Sequence, residues 1–407
     1  MKRAFISFLF TTIILVWIFS LVIVAVVLRE DRSLTKLEDN IIAWEEEVPS
    51  ETDIEVDNVD DAGEEPAGLD SPEEELPEKK LSFLAVGDII PHLGVTYDLE
   101  DKSYVHQYSE VKDLIQGADF AFANLESPIV NGKEPSGFPR FNGTVALVDS
   151  LKEVGFNILG TANNHVLDQS LSGFYETVNL VRDRGLTQVG GRLSDEEKNY
   201  KLVEKNGIKL GITAYTYAYN GLDVNLDKDH HALSKIDLDK IKKDFEQMQE
   251  GSPDFNIVFI HWGNEYRTKL SEAQLEIGKE LKELGYHLVV GSHPHVVQKV
   301  EVEKDHVIAY SLGNFISNQR KIDIGKDAVE NGLIFTCNLV MKGEEKFIED
   351  VVVHPTWVKR RIENKKYTFK ILPVEDVLDN LDNYDLSQDE IRRIEKSFKD
   401  TKFAIDL

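Results

Sequence analysis

The segment 289-VVGSHPHVVQ-298 contains two histidines separated by a single proline. Imidazoles at this spacing can be buried polar groups, solvated loop residues or metal ligands. Proline fixes its own backbone torsion and restricts the residue before it. If the segment is extended, His293 and His295 point to the same side, which suits two neighbouring metal ligands.

Other polar side chains with metal-binding or catalytic chemistry occur just after short apolar runs. Such runs are typical of strands, and in open α/β sheets ligands bind beyond the carboxyl ends of the strands. We therefore expect these polar residues to form one site, although they are far apart in the chain. They are Asp88, Asn124, Glu126, Asn163, Asn164, His165, Asp168, His261, Glu265, His293, His295 and Asn314.

The residue types in this set favour a metal site. Carboxylate, amide and imidazole groups provide oxygen and nitrogen ligands that suit Mn, Fe or Zn. Two such ions about 3.5–4 Å apart can activate water and stabilise both the attacking and the leaving oxygen of a displacement. Taken singly, each histidine is better explained as structural or solvated, and only the joint placement at strand ends favours metal. The one cysteine, Cys337, lies in an apolar run and is expected in the core.

The elements that must position these residues have the pattern of an α/β domain. Short apolar runs alternate with segments of helical periodicity, such as 271–285, where Gly285 is expected to close the helix. A β-hairpin around Gly343 and a terminal helix follow. We predict a folded domain at 81–330, completed by the hairpin and helix at 331–407.

The N-terminal part has a different composition. Residues 5–28 are uncharged and apolar over about 24 residues, which is enough to cross a bilayer and too long for a typical signal-peptide core. We predict an uncleaved anchor, with residues 1–4 in the cytoplasm, because Lys2 and Arg3 precede it. A buried soluble helix is the alternative.

Residues 29–80 are rich in Asp and Glu and are predicted to form a flexible linker. Binding of cations or of a basic partner is the alternative for this tract. The formal net charge of the chain is −27, which excludes a general nucleic-acid binder.

Six motifs in this order resemble the bacterial capsule-synthesis family CapA, also called PgsA, which is associated with poly-γ-glutamate. That family is itself similar to calcineurin-like metallophosphatases. The resemblance covers about residues 81–320 and implies layered sheets flanked by helices, an α/β fold. The motifs are 86-VGDI-89, 124-NLES-127, 163-NNHVLDQ-169, 261-HWGNEY-266, 291-GSHPHV-296 and 311-SLGNFI-316.

The resemblance also implies roles for the matching residues. His165 and Asp168, from one motif, are the predicted catalytic residues. Glu126 takes the place of a bridging carboxylate, where the metallophosphatase pattern usually has Asp. The pattern also has a histidine two residues after the first aspartate, and here that position is Ile90, with His92 two residues further on. The predicted metal ligands are Asp88, Glu126, Asn164, His261, His293 and His295.

We therefore expect a single-pass protein of the cell membrane whose C-terminal domain is extracellular. It would be a metal-dependent hydrolase of capsule or poly-γ-glutamate synthesis or export, with one or two divalent ions and an anionic polymer or phosphoester as substrate. Other membrane proteins of polymer synthesis or export are the expected partners. The alternative is a non-catalytic accessory of such a complex that binds metal or polymer without turnover. An extracellular phosphatase unrelated to capsule is a third interpretation.

Overall fold

The computed structural model describes residues 78–228, 230–363 and 365–402. The predicted membrane anchor at 5–28 lies outside these residues, as does the predicted acidic linker up to residue 77. Within the described ranges, no helix is both long enough and apolar enough to cross a bilayer.

Strands and helices alternate through most of the described chain, as the sequence predicts. The strands are β1 (Glu78–Ile89), β2 (Phe120–Leu125), β3 (Ile158–Gly160), β4 (Thr187–Val189), β5 (Lys201–Lys205), β6 (Ile208–Thr216), β7 (Phe255–His261), β8 (Leu288–Ser292), β9 (Val300–Val302), β10 (Val307–Ala309), β11 (Asn314–Ile316), β12 (Asn331–Lys342), β13 (Glu345–Glu363) and β14 (Lys366–Pro373). The α-helices of the described ranges are α1 (Leu93–Thr96), α2 (Lys112–Gln116), α3 (Val145–Val154), α4 (Ser170–Asp183), α5 (Leu238–Gln249), α6 (Glu272–Leu284), α7 (Lys321–Ile324), α8 (Val374–Asp379) and α9 (Gln388–Lys402).

The described strands form two sheets. The larger has the order β14-β13-β12-β1-β2-β3-β4, with β11 also paired to β1, and the smaller has the order β5-β6-β7-β8-β10-β9. Strands β1 to β4 run parallel to one another, and so do β6, β7, β8 and β10. The carboxyl ends of each parallel set therefore share one edge of their sheet.

Apolar side chains of the two sheets pack against each other and form the main core. Phe122 of the larger sheet and Phe259 of the smaller sheet lie in this core, and so does Cys337, as the sequence predicts. Leu151 of α3 packs on the other face of the larger sheet, and Leu281 of α6 on the other face of the smaller one. The predicted α/β class, with layered sheets flanked by helices, is confirmed.

Local sequence signals set the ends of several elements. The side chain of Ser271 accepts the backbone N–H of Gln274, and Gly285 ends α6 with a left-handed φ of 107°, so the predicted helix closure is confirmed. The hairpin predicted around Gly343 is formed by β12 and β13, and β14 extends it by a third strand. Because β12 pairs directly with β1, this C-terminal hairpin is part of the larger sheet.

Candidate metal centre

Glu126, directly after β2, is the buried carboxylate at the centre of the site. Its side chain is fully buried, and neither carboxylate oxygen has a hydrogen-bond partner among the described residues. Oε1 lies 3.7 Å from Nε2 of His261 and 3.8 Å from Nε2 of His295. Burial, followed by the charge of Asp88, raises the pKa of Glu126 well above its usual range. A cation at this position would satisfy both oxygens and favour the ionised form.

Asp88, near the end of β1, is the second buried carboxylate. Its Oδ1 accepts a hydrogen bond from Nδ2 of Asn124 at 2.8 Å, and its Oδ2 accepts the backbone N–H of His293 at 3.2 Å. The same Oδ2 lies 3.1 Å from Nδ1 of His295. Burial favours a higher pKa for Asp88, but the hydrogen bond and charge of His295 outweigh it and hold that pKa well below its usual range. Asp88 is therefore the ionised member of the carboxylate pair.

His261 is the last residue of β7 and belongs to the smaller sheet. Its Nδ1 lies 2.8 Å from Oγ of Ser292, and its Nε2 lies 2.9 Å from Oδ1 of Asn164. Burial and then the neighbouring His293 lower the pKa of His261 well below its usual value. The imidazole is therefore neutral, which is the form that binds metal. The Ser292 hydroxyl fixes the orientation of the ring.

The His-Pro-His segment forms a turn and is not extended. His293 has a φ of 98° and His295 a φ of 57°, both in the left-handed region that L-residues seldom adopt. Their ring centroids are 5.8 Å apart and the ring planes are inclined by 59°. Both imidazoles are nevertheless buried, and Nδ1 of His293 has no hydrogen-bond partner among the described residues.

Two sets of three side chains have the spacing of a metal site. We call Asp88, Glu126 and His261 the inner group, and Glu265, His293 and His295 the outer group. Within each group, one ligand atom from each residue lies within 4.8 Å of the other two. The inner residues are buried, whereas Glu265 of the outer group is exposed.

His165 and Asp168 form a buried pair in the segment between β3 and α4. Nδ1 of His165 lies 2.7 Å from Oδ2 of Asp168, and that oxygen also accepts the backbone N–H of Phe141 at 2.8 Å. The Phe141 ring packs edge-on against the His165 ring, with centroids 4.7 Å apart. These contacts hold the His165 imidazole in one orientation. The catalytic roles of both residues stay predictions.

The family model for the bacterial capsule synthesis protein PGA_cap matches residues 82–319, more than half of the chain. The chain belongs to the PGA_cap family. Its matched region contains every residue of the inner and outer groups, together with His165 and Asp168. Strands β12 to β14 and helix α9 follow the matched region.

Two relatives of this PGA_cap chain carry the name CapA. It is 28% identical over 251 residues to "Capsule biosynthesis protein CapA" of Bacillus anthracis, covering 59% of this chain and 61% of that relative. It is also 28% identical over 244 residues to "PGA biosynthesis protein CapA" of Bacillus subtilis (strain 168), covering 59% and 64%. The chain thus spans about three-fifths of the length of these relatives.

Among solved structures, the calcineurin-like phosphoesterase YfkN from Bacillus subtilis is 13% identical. The similarity covers 80% of this chain and 98% of that chain, with a TM-score of 0.41.

The structure brings the six predicted ligands of this PGA_cap chain together, but their metal-binding role stays a prediction. Asn164 joins them through its contact with His261. His92 belongs to neither group. Burial and then the charge of His295 lower its pKa to about 4, and its Nδ1 accepts the backbone N–H of Asn318 at 3.3 Å.

Glu265 is the residue of the PGA_cap site that the ligand prediction left out. It follows the apolar run of β7 and lies in the 261-HWGNEY-266 motif, but no periodicity separates it from an ordinary loop glutamate. The unpaired buried oxygens of Glu126, the unpaired Nδ1 of His293 and the mixed oxygen and nitrogen donors all fit divalent metal.

Proposed function

We propose that this protein is a membrane-anchored, extracytoplasmic, metal-dependent hydrolase of capsule polymer synthesis or export. The observation that carries the proposal is Glu126. Its carboxylate is fully buried beside Asp88 and two imidazoles, and neither oxygen has a hydrogen-bond partner in the part of the chain that the structure describes, which suits a metal ligand and not a structural acid.

The inner and outer groups would hold one or two divalent ions, with Mn, Fe or Zn suited to these donors. When bound, such ions supply a positive field that activates water and stabilises charge on the substrate. Burial makes the imidazoles of His261 and His293 neutral by lowering their pKa, so they would bind metal without adding negative charge. The Ser292 hydroxyl orients the His261 ring through Nδ1, so that Nε2 faces Asn164 and Glu126.

His165 is proposed to act as the general acid that donates a proton to the leaving group. The Asp168 carboxylate accepts a hydrogen bond from Nδ1–H of His165 and stabilises the imidazolium form of the ring. Nε2 of that imidazolium can then donate a proton to the leaving group. In hydrolysis the hydroxyl of water goes to the acyl or phosphoryl centre, and the leaving nitrogen or oxygen takes up a proton. Phe141 keeps this pair packed and oriented.

The proposed substrate is the capsule polymer itself or an anionic precursor. The names of the relatives from Bacillus anthracis and Bacillus subtilis refer to capsule and PGA biosynthesis. A poly-γ-glutamate chain offers γ-amide bonds for hydrolysis. A phosphoester substrate is the competing assignment.

A non-catalytic accessory role is the second candidate, and one departure from the metallophosphatase pattern favours it. Ile90 stands where that pattern has a histidine, and its buried side chain offers no ligand atom. A site with fewer ligands could bind metal or polymer without turnover, as part of a membrane complex for polymer synthesis or export.

The two candidates separate on the variant His165→Ala. The full-length protein, purified in detergent and loaded with Mn, Fe or Zn, is assayed on γ-glutamyl oligomers and on phosphoesters. The hydrolase proposal expects kcat to fall about 10²–10⁴-fold in this variant while metal content and melting temperature persist. His354→Ala, a half-buried histidine of β13, is the control and should keep wild-type kcat.

If neither substrate class is hydrolysed by metal-loaded wild-type protein, the accessory role replaces the hydrolase. The anchor is tested separately, by fractionating cells that express the full chain or a chain lacking residues 1–28. Only the full chain should sediment with membranes, and external protease should digest its C-terminal domain.

A further inference from the structure

We propose that Glu265 is the carboxylate ligand of a second, outer metal position, which His293 and His295 complete. This outer position binds its ion more weakly than the inner one and exchanges it with solvent. This inference rests on the proposed function only in requiring that the protein bind divalent metal. It assigns a ligand role to Glu265, a residue that the sequence places in the site but that the predicted ligand set does not include.

The first strand lacks the histidine ligand of the metallophosphatase pattern, so another residue could supply the missing ligand. Ile90 is buried, and its backbone N–H is bonded to the carbonyl oxygen of Ile316 at 2.9 Å. His92, further along the chain, uses Nδ1 to accept the Asn318 N–H and joins neither group of ligands. Neither residue therefore takes the place of the expected histidine ligand.

The loop after β7 is built to bring Glu265 to the two histidines. The backbone N–H of Tyr266 donates to the carbonyl oxygen of Pro294 at 2.7 Å, which fastens this loop to the His-Pro-His turn. Gly263 and Tyr266 both adopt left-handed backbone torsions, with φ of 86° and 62°. A tyrosine in that region is strained, and such strain collects at functional sites.

The Tyr266 side chain also supports the Glu265 carboxylate. Its hydroxyl accepts a hydrogen bond from Nε2 of Gln319 at 3.3 Å and interacts with the charge of Glu265, its neighbour in the chain. A carboxylate oxygen of Glu265 lies within 4.8 Å of ligand atoms of His293 and His295.

The two metal positions differ in charge and in exposure. The inner group has two buried carboxylates and one imidazole, whereas the outer group has one exposed carboxylate and two imidazoles. Divalent metal is bound more tightly where more negative charge is desolvated around it. The inner position should therefore fill first, and the outer ion should exchange with solvent.

Metal titration tests this order directly. Full-length protein in detergent is stripped with chelator and titrated with Mn²⁺, and free Mn²⁺ is followed by its paramagnetic resonance signal. Wild-type protein should bind two equivalents with separable affinities. Glu265→Gln should keep the tighter equivalent unchanged and weaken the second by at least about tenfold.

Glu276→Gln removes the same charge from an exposed position on α6 and should bind as wild type does. The inference is overturned if Glu265→Gln binds two equivalents with wild-type affinities, or if wild-type protein binds fewer than two. Wild-type protein that binds two ions but hydrolyses nothing would end the hydrolase proposal and leave the role of Glu265 intact.

Discussion

Oδ2 of Asp168 lies 2.7 Å from Nδ1 of His165 and accepts the backbone N–H of Phe141 as well. One oxygen therefore holds both the imidazole and the segment that packs on it. The other oxygen of Asp168 is buried without a hydrogen-bond partner among the described residues. Asp168 acts on the proposed reaction through His165, as a positioning residue.

We expect Asp168→Asn to lower kcat by about 10²-fold or more without removing metal, because an amide does not stabilise the charged form of His165. Metal content, kcat and KM are the measurements, and only kcat should change. An unchanged kcat would show that the pair has no part in turnover.

Glu126→Gln should have opposite effects on the metal-free and the metal-loaded protein. The pKa of Glu126 is higher in the folded state than its ordinary value of 4.5. The folded protein therefore loses stability as the pH rises above 4.5, where the unfolded chain has already released this proton. The amide removes that cost, so at neutral pH the metal-free variant should melt above metal-free wild type. Each kcal/mol corresponds to about 2–4 °C.

Metal reverses this order, because wild-type protein gains binding energy through Glu126 that the variant lacks. The two proteins are compared by thermal denaturation with excess chelator and with excess Mn²⁺. A variant that melts lower under both conditions would contradict the assignment of Glu126 as a ligand.

Protonation of His287, which belongs to neither the inner nor the outer group, should make the protein less stable in acid. Its Nδ1 accepts the backbone N–H of Asn256 at 3.0 Å, and burial, with a smaller effect of Lys346, lowers its pKa to about 4. The unfolded chain binds a proton below pH 6.5 that the folded chain does not bind until about pH 4. Stability is therefore lost as the pH falls through this range, by at most about 1.4 kcal/mol per pH unit.

The measurement for His287 is the unfolding free energy of chelator-treated protein between pH 7 and pH 4. His287→Gln, which is less stable at pH 7, should show a shallower slope by up to one proton. Equal slopes would show that His287 does not titrate differently in the two states.

Gly291→Ala should disturb the His-Pro-His turn through packing. An added Cβ would lie 2.0 Å from the carbonyl oxygen of Tyr310 and 2.5 Å from Nε1 of Trp262, so β8 must shift. We expect a loss of about 1–3 kcal/mol or more and a reduced metal content. Gly117→Ala is the control, because its nearest contact is an ordinary 3.4 Å and its backbone is already helical. Equal melting temperatures for the two variants would contradict this explanation.

Sequence periodicity was sufficient to locate most of the site. Asp88, Asn124 and His261 end or nearly end strands, and parallel neighbours bring such ends to one edge of a sheet. The helix cap at Ser271 and the closure at Gly285 follow from local chemistry that a sequence displays directly. These features depend on contacts between residues that are close in the chain or on regular strand pairing.

The features that the sequence did not predict depend on non-local geometry. The left-handed torsions of His293 and His295 are unusual for histidine, and only the surrounding packing maintains them. Glu265 was expected in the site but not among its ligands, because its place beside these histidines depends on loop contacts such as the hydrogen bond from Tyr266 to Pro294. The pattern of hydrophobic residues in a sequence does not predict a hydrogen bond between two loops.

The inner group takes Asp88 and Glu126 from the larger sheet and His261 from the smaller one. Neither sheet alone holds the inner set of donors, so a half-folded chain cannot retain the inner ion. Capture of that ion must then be among the last steps of maturation.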